Sequence, residues 1–577
     1  MRSFFVAITT RSGQTDRSTV PTPPEPSTGN YRKTLGTVAL TATGLGSIIG
    51  SGWLFGAANA AAIAGPASIL AWVVGAAIAF TIALSYTELG AAFPEAGAMV
   101  RFGHYSHGSL TGYLAAWANW IAIVSVIPGE ATASVQYMSS WDFAWARGLF
   151  DGRELTGTGL AAAAVLVVVY FALNWFAVSM FAKTNTAITV FKLVVPALTV
   201  AALLATSHHT ENLTSGGGFA PGGASAVLTA VATSGIVWAF NGFQSPVNLA
   251  AEAKNPGRSL PVAVLGSIGI ALVVYLGLQT AYLLAVDPAA LAAEGWGGLQ
   301  TTFRSPFADL ATALMLNWLA LLLFADAFVS PSGTGMTYAA TTARMIHGIQ
   351  RNGHLPAVFA KVDRKSGIPR PAMLLNLAIA FLFLAVFRGW GALAAIVSVA
   401  TVISYVTGPV AAVALRRIAP ELPRPVRLRQ LPWVAPLAFV FGTLVLYWAR
   451  WPLTGQVLLI IGAGLPVYAW YEWRAHRTDP AHDLARHLRS GVWLVVYLAA
   501  MALVSWLGGT EFGGLGYLAP GWDVLLVALI GFATYRWGLA SAWRSPALDE
   551  AVAAALTRRQ QAGQEAPVTA GEPVGTV

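Results

Sequence analysis

The sequence predicts an all-α polytopic membrane protein of about 12–14 transmembrane helices, and three observations predict it. First, 56% of the 577 residues are hydrophobic and only 10% are charged, whereas soluble globular chains carry about 25% charged residues. Second, apolar stretches of roughly 20 residues, enough to cross ~30 Å of hydrocarbon, recur along almost the whole chain. Third, the basic residues are distributed asymmetrically between alternate loops, as the positive-inside rule requires.

The stretches fall at approximately 36–63, 66–92, 109–137, 158–178, 184–206, 225–251, 260–286, 316–343, 372–388, 391–415, 434–451, 455–473, 490–508 and 522–543. With the N-terminus in the cytoplasm, most of the 34 Lys and Arg lie in cytoplasmic loops and tails, among them Arg351 and Lys361 in one loop and Arg416 and Arg417 in another. The net charge of +9 therefore reports topology in a cell membrane rather than a nucleic-acid partner, because the charges are not gathered on one soluble face. With no cysteine there is neither a disulfide framework nor a thiolate metal site. The first thirty residues lack the apolar core of a cleavable signal. Residues 1–32 and 545–577 are expected to be disordered cytoplasmic tails.

The first apolar stretch is interrupted by GLGSIIGSGWLFG, residues 44–56, with five glycines in thirteen positions. Glycine costs about 1 kcal/mol relative to alanine inside a helix, and unwound backbone at membrane depth is tolerable only where it is buried in protein or lines a polar cavity. Five helices later a second stretch is interrupted at residues 239–247, where Asn241, Gly242, Gln244 and Pro246 break the apolar run. Close helix packing through small residues would account for Gly46 and Gly50 alone, but not for a second polar interruption in register. Two breaks in corresponding places predict a 5+5 inverted repeat over helices 1–10, residues 33–418, with the site at the breaks. The further helices in 419–544 carry no such break and suit lipid or contacts between copies, a homodimer among them. Trp433, Trp448 and Trp451 fit an aromatic belt there.

In the first break, the N–H groups of Gly50, Ser51 and Gly52 start a half-helix whose positive dipole end favours an anion such as an α-carboxylate. In the second, carbonyls from Trp238 through Phe240 to Asn241 and Gly242 offer acceptors for an α-ammonium. Lys192 lies deep in the fifth helix, too deep to snorkel readily, so a proton can be exchanged there. Glu130 and Asp326 are further ionisable residues at membrane depth and are suspect for that reason. Catalytic constellations, nucleotide-binding loops and metal-ligand spacings are absent, so an enzyme, a cofactor and a metal are not expected.

Four blocks resemble the amino acid/polyamine/organocation permeases, which have the fold of the bacterial leucine transporter: residues 44–56, 83–120, 238–261 with its K-N-P-x-R-x-x-P ending, and 343–372. The resemblance covers roughly residues 32–475 and implies an amino acid permease working by alternating access. It departs from the family at Ala251–Glu252 and at Asn352–Gly353. In a related antiporter of arginine and agmatine, the positions matching Ile48, Ser51, Gly52, Trp238 and Asn241 contact substrate, and the tryptophan gates. The acidic position of that antiporter is Gln244 here, which argues against arginine and polyamines. In proton-coupled relatives a lysine matching Lys192, seven after Asn185, takes the place of a sodium ion and bridges the first break to hydroxyls of the eighth helix. Here the candidates are Ser330, Ser332, Thr334 and Thr337. The resemblance thus implies proton symport of an amino acid, with sodium a weaker alternative to the proton. An exchanger or a carrier of another small amine or carboxylate is the first rival, and a membrane-embedded sensor or enzyme the second.

Overall fold

The computed structural model describes residues 33–95, 99, 101–152, 154–176, 178–363, 369–478 and 483–564. The expected N-terminal tail and the end of the C-terminal one lie outside these residues. Because lipid offers backbone no hydrogen-bond partner, each apolar stretch closes its own bonds as a helix. Among the described residues, eleven helices are long and apolar enough to cross a membrane, or twelve with one bent pair. Two shorter apolar helices, and a 41-residue stretch, Gly52–Ala92, that covers both the second half of the first span and the whole second one, account for the rest of the fourteen stretches.

The spans are α1 (Thr37–Ile48 and Gly52–Ala64), α2 (Ser68–Ala92), α3 (Ser109–Met138), α4 (Gly157–Phe176), α5 (Val178–Thr206) and α6 (Gly223–Thr233, Ile236–Phe240 and Ser245–Asn248). They continue with α7 (Pro256–Ala285), α8 (Asn317–Arg351), α9 (Arg370–Val386) and α10 (Trp390–Tyr405 continuing into Thr407–Ile418). Then come α11 (Leu431–Trp448), α12 (Leu453–Gly462 and Gly464–Thr478), α13 (Leu484–Leu507) and α14 (Trp522–Ser541). The strands found among the described residues, Phe150–Asp151 and Glu154–Leu155, pair antiparallel between α3 and α4.

Burial sorts these spans into a centre and a rim. The most apolar windows of α3 and α10 are 94% and 100% buried, against 33% and 28% in α4 and α5. A helix apolar all round belongs in the middle of a bundle or in lipid, and only contacts with neighbours separate the two. α3 packs on α8 and α10, and α1 lies along α7. The N-terminal end of α1 is tied to the chain leaving α6: Leu35 and Ala253 form a parallel bridge, with Leu35 N–H donating to Glu252 O at 3.0 Å and Lys254 N–H to Leu35 O at 2.9 Å. On α2, buried Glu88 accepts from Arg416 Nε at 2.7 Å and from Leu428 N–H at 3.0 Å, which fixes the end of α10.

Two expectations about the C-terminal part need correction. Residues 546–564 do not begin a disordered tail but form a further helix, α15 (Pro546–Gln564). Its Leu548, Ala551, Val552 and Ala555 are buried, and their i, i+3, i+4, i+7 spacing is one helical stripe. Trp433 is 79% exposed, as a belt residue should be, but Trp448 is only 5% exposed and packs inward.

Candidate substrate and ion site between the broken helices

α1 stops at Ile48, whose follower Ile49 is extended at φ −84°, ψ 98°, and restarts at Gly52. α6 breaks twice. Gly235 adopts the left-handed region at φ +98°, and after Phe240 the chain turns out through extended Asn241 and Gly242 at φ +124°. A side chain at Gly242 would be strained by that φ and would also lie 2.6 Å from the Ser47 carbonyl carbon. Glycine there lets the two breaks touch backbone to backbone.

Between them are two small adjoining cavities. One, of about 10 Å³, is lined by Ser47, Ile48, Gly50, Val126, Glu130, Trp238, Asn241, Thr334 and Tyr338. It is no larger than a single water needs, about 10–15 Å³, so an amino acid enters only if side chains move. The other, of about 90 Å³, lies towards the N-terminal half of α1 and is walled by Thr43, Gly46, Ser47, Thr189, Lys192, Gly333, Thr334, Thr337 and Tyr338. Aromatic rings close the opposite side: Trp390 stacks on Phe55 with centroids 4.8 Å apart and meets Trp238 at 5.4 Å. Its indole N–H donates to Ser51 Oγ at 2.8 Å.

The expected donors and acceptors are present, but neighbours already engage them. Ser51 N–H, expected to face a substrate carboxylate, donates to Glu130 Oε2 at 3.1 Å and Oε1 at 3.4 Å. Trp238 O accepts from Asn241 N–H at 2.9 Å, and Ala239 O from Tyr275 Oη–H at 2.9 Å. Gly52 packs where a Cβ would stand 3.1 Å from Ala239 and from Trp238 Cδ1. Phe240 faces away, against Trp72 and Tyr275. Gln244 does not face the cavities; it braces the second break by accepting from Gly242 N–H at 2.9 Å and donating to Asn241 Oδ1 at 3.1 Å. Tyr405 also donates to Asn241 Oδ1, at 2.8 Å.

Lys192, 3% exposed, donates to Thr334 Oγ1 at 2.6 Å and to Gly46 O at 3.3 Å. Of the four hydroxyls considered on α8, Thr334 is the one that meets it. Ser332 turns to Tyr170 Oη at 3.3 Å, Thr337 to Gly333 O at 2.8 Å, and Ser330 to Asp326 Oδ1 at 2.5 Å. Asp326 is fully buried, with the Trp53 indole N–H beside its carboxylate. Glu130, Lys192 and Asp326 thus form one electrostatic cluster reaching from α3 through α5 to α8. Among the described residues no group of His, Cys, Asp and Glu is arranged to hold a metal.

Sequence reasoning missed Trp390, Tyr338, Tyr275 and Tyr405. A tryptophan at a helix end reads as an interfacial anchor, while tyrosines deep in apolar spans were a usable signal, since buried hydroxyls seek partners.

Polar cavities lined by two interrupted spans of a helical bundle are an arrangement typical of membrane carriers. The chain belongs to the amino acid permease family, whose sequence profile matches residues 35–471. It is similar to the glutamate/serine transporter AimA of Bacillus subtilis (strain 168), 55% identical over 520 residues covering 90% of this chain and 95% of the relative. It is also similar to the aspartate-proton symporter of the same organism, 35% identical over 530 residues, 90% and 99% of the two chains. A branched-chain amino acid permease, BcaP, again from Bacillus subtilis, is 25% identical over 454 residues, 77% of this chain and 93% of the relative. The protein is therefore a multi-pass amino acid permease of the cell membrane.

Proposed function

We propose that this permease imports acidic and small polar amino acids together with protons, with residues 33–418 as the transport core and the N-terminus in the cytoplasm. The observation that carries the reading is Lys192, whose ammonium joins Gly46 of the α1 break to Thr334 of α8. A charge-assisted bond of this kind is roughly twice as strong as a neutral one. A proton gained or lost in the cluster of Lys192, Glu130 and Asp326 changes how firmly the N-terminal half of α1 is held. Binding and protonation then bias the same two-state element, as coupling requires. The names of two relatives, a glutamate/serine transporter and an aspartate-proton symporter, support the substrate class and the ion. The larger cavity supports it too, since threonine hydroxyls and a lysine suit a polar or anionic side chain.

The test is uptake of labelled glutamate, aspartate and serine into proteoliposomes under an imposed inward proton gradient, with and without sodium. Accumulation that a protonophore abolishes and sodium leaves unchanged is expected. Failure of all three substrates to enter under any gradient would sink the reading.

A further inference from the structure

We propose that Glu130 is an internal stand-in for the substrate's α-carboxylate, and that substrate displaces it in protonated form, one proton per substrate. The inference rests on the proton-symport reading and names the group on which the co-transported proton sits.

The second half of α1 begins at Gly52 with its first N–H groups unpaired by the helix itself. Glu130 comes from the last third of α3, is 0% exposed, and places both carboxylate oxygens within reach of Ser51 N–H. The local sequence is shaped around that carboxylate. A Cβ at Gly50 would stand 2.7 Å from Glu130 Oε1 and 3.2 Å from Thr334 Oγ1, so a larger residue there would push the carboxylate from its seat. At Gly129, next to Glu130, a Cβ would overlap the ring of Trp238. Glu130, Gly50, Trp238 and Asn241 wall the smaller cavity together.

An amino acid whose carboxylate is drawn to the same N–H meets a carboxylate already seated there. Two carboxylates sharing one donor in a low-dielectric site do not both stay charged. Lys192, the cation of this cluster, is held by Thr334 and Gly46 and also balances Asp326. Glu130 therefore leaves as the acid. The proton comes from water in the larger cavity, which shares Ser47, Thr334 and Tyr338 with the smaller one. The charges balance: one carboxylate replaces another on Ser51 N–H, and Glu130 becomes –COOH. When substrate departs, the carboxyl returns its proton to water on the side then open and reseats on Ser51.

Binding of labelled serine to the purified protein tests this, because serine itself has no group titrating between about pH 5 and 8. In the wild type, affinity should rise as pH falls, by up to about tenfold per unit for one proton. In Glu130→Gln, binding should be flat with pH at the wild type's acid limit, and gradient-driven accumulation should be lost. Glu130→Gln with wild-type pH dependence and accumulation would overturn the inference while symport stands. A wild type with neither property overturns both. The infrared difference spectrum of the wild type on serine binding is independent of whether the variant folds. A new protonated-carboxyl band is expected, and its absence overturns the inference.

Discussion

The break in α1 is held by charged groups and the break in α6 by neutral ones. Around Ser51 and Gly46 the partners are a carboxylate and an ammonium, Glu130 and Lys192. Around Asn241 and Gly242 they are the Gln244 amide, the Tyr405 phenol and the Thr401 hydroxyl, with Tyr275 on Ala239 O. Both devices satisfy orphaned backbone in a membrane, but only the first changes strength when a proton moves. Under the proposed coupling this is a division of labour: α6 supplies contacts that do not titrate, and α1 supplies the part whose hold depends on protonation.

The sharpest attack on this comparison is Lys192→Ala. It removes the ammonium and leaves Glu130 and Asp326 without their cation, a kind of loss that costs about 3–5 kcal/mol when charges are buried. Gradient-driven accumulation should vanish and the melting temperature should fall; undiminished accumulation would break the distinction between the two breaks.

Acid should also act on stability at a place remote from both. Burial, reinforced by the nearby charges of His354, His487 and Arg101, holds the His104 imidazole down at about 4, and burial does the same to His107, against the opposing bond to Gly538. Both folded values lie below the ordinary 6.5. The stability they contribute is complete above pH 6.5 and is lost as pH falls towards 4, at a limiting slope of about 1.4 kcal/mol per unit for each histidine. Melting followed over that range should show the decline in the wild type and equally in Glu130→Gln, separating it from coupling at the α1 break.

On the neutral side, Gln244→Ala leaves Gly242 N–H buried without its acceptor, at a cost of about 1–3 kcal/mol. The expected result is weaker substrate binding with the pH dependence of binding unchanged; a shifted pH profile would mean that α6 too responds to protons. The smallest effect is expected for Ser332→Ala, which removes a 3.3 Å bond to Tyr170 on the far side of α8. Uptake rates should stay within about twofold and stability within about 1 kcal/mol, whereas Thr334→Ala should not be so mild.

Much of this was legible in the chain because lipid leaves few readings open. The glycine cluster of 44–56 and the polar run from Asn241 to Pro246 pointed to breaks, because unwound backbone at that depth is tolerated only in protein or along a cavity; in α1 the interruption itself narrows to residues 49–51. Lys192 stood out by depth alone. Choosing Thr334 among four hydroxyls was harder. Residues 330, 334 and 337 share one face of α8 and Ser332 does not, but which of the three sits level with Lys192 depends on how α5 packs on α8. The seat of Glu130 on Ser51 joins residues 79 apart, a contact no local pattern encodes. α15 was overlooked because half of its stripe is alanine, with Leu548 and Val552 its larger members.

The short bridge between Leu35 and Ala253 works as a yoke. It ties the start of the charged break's helix to the exit of the neutral one, so the near ends of α1 and α6 are expected to move together rather than as independent flaps. A chain without cysteine is a clean background for a staple. Leu35→Cys paired with Ala253→Cys should cross-link and leave transport running, because the linkage adds nothing to a pair that already moves together.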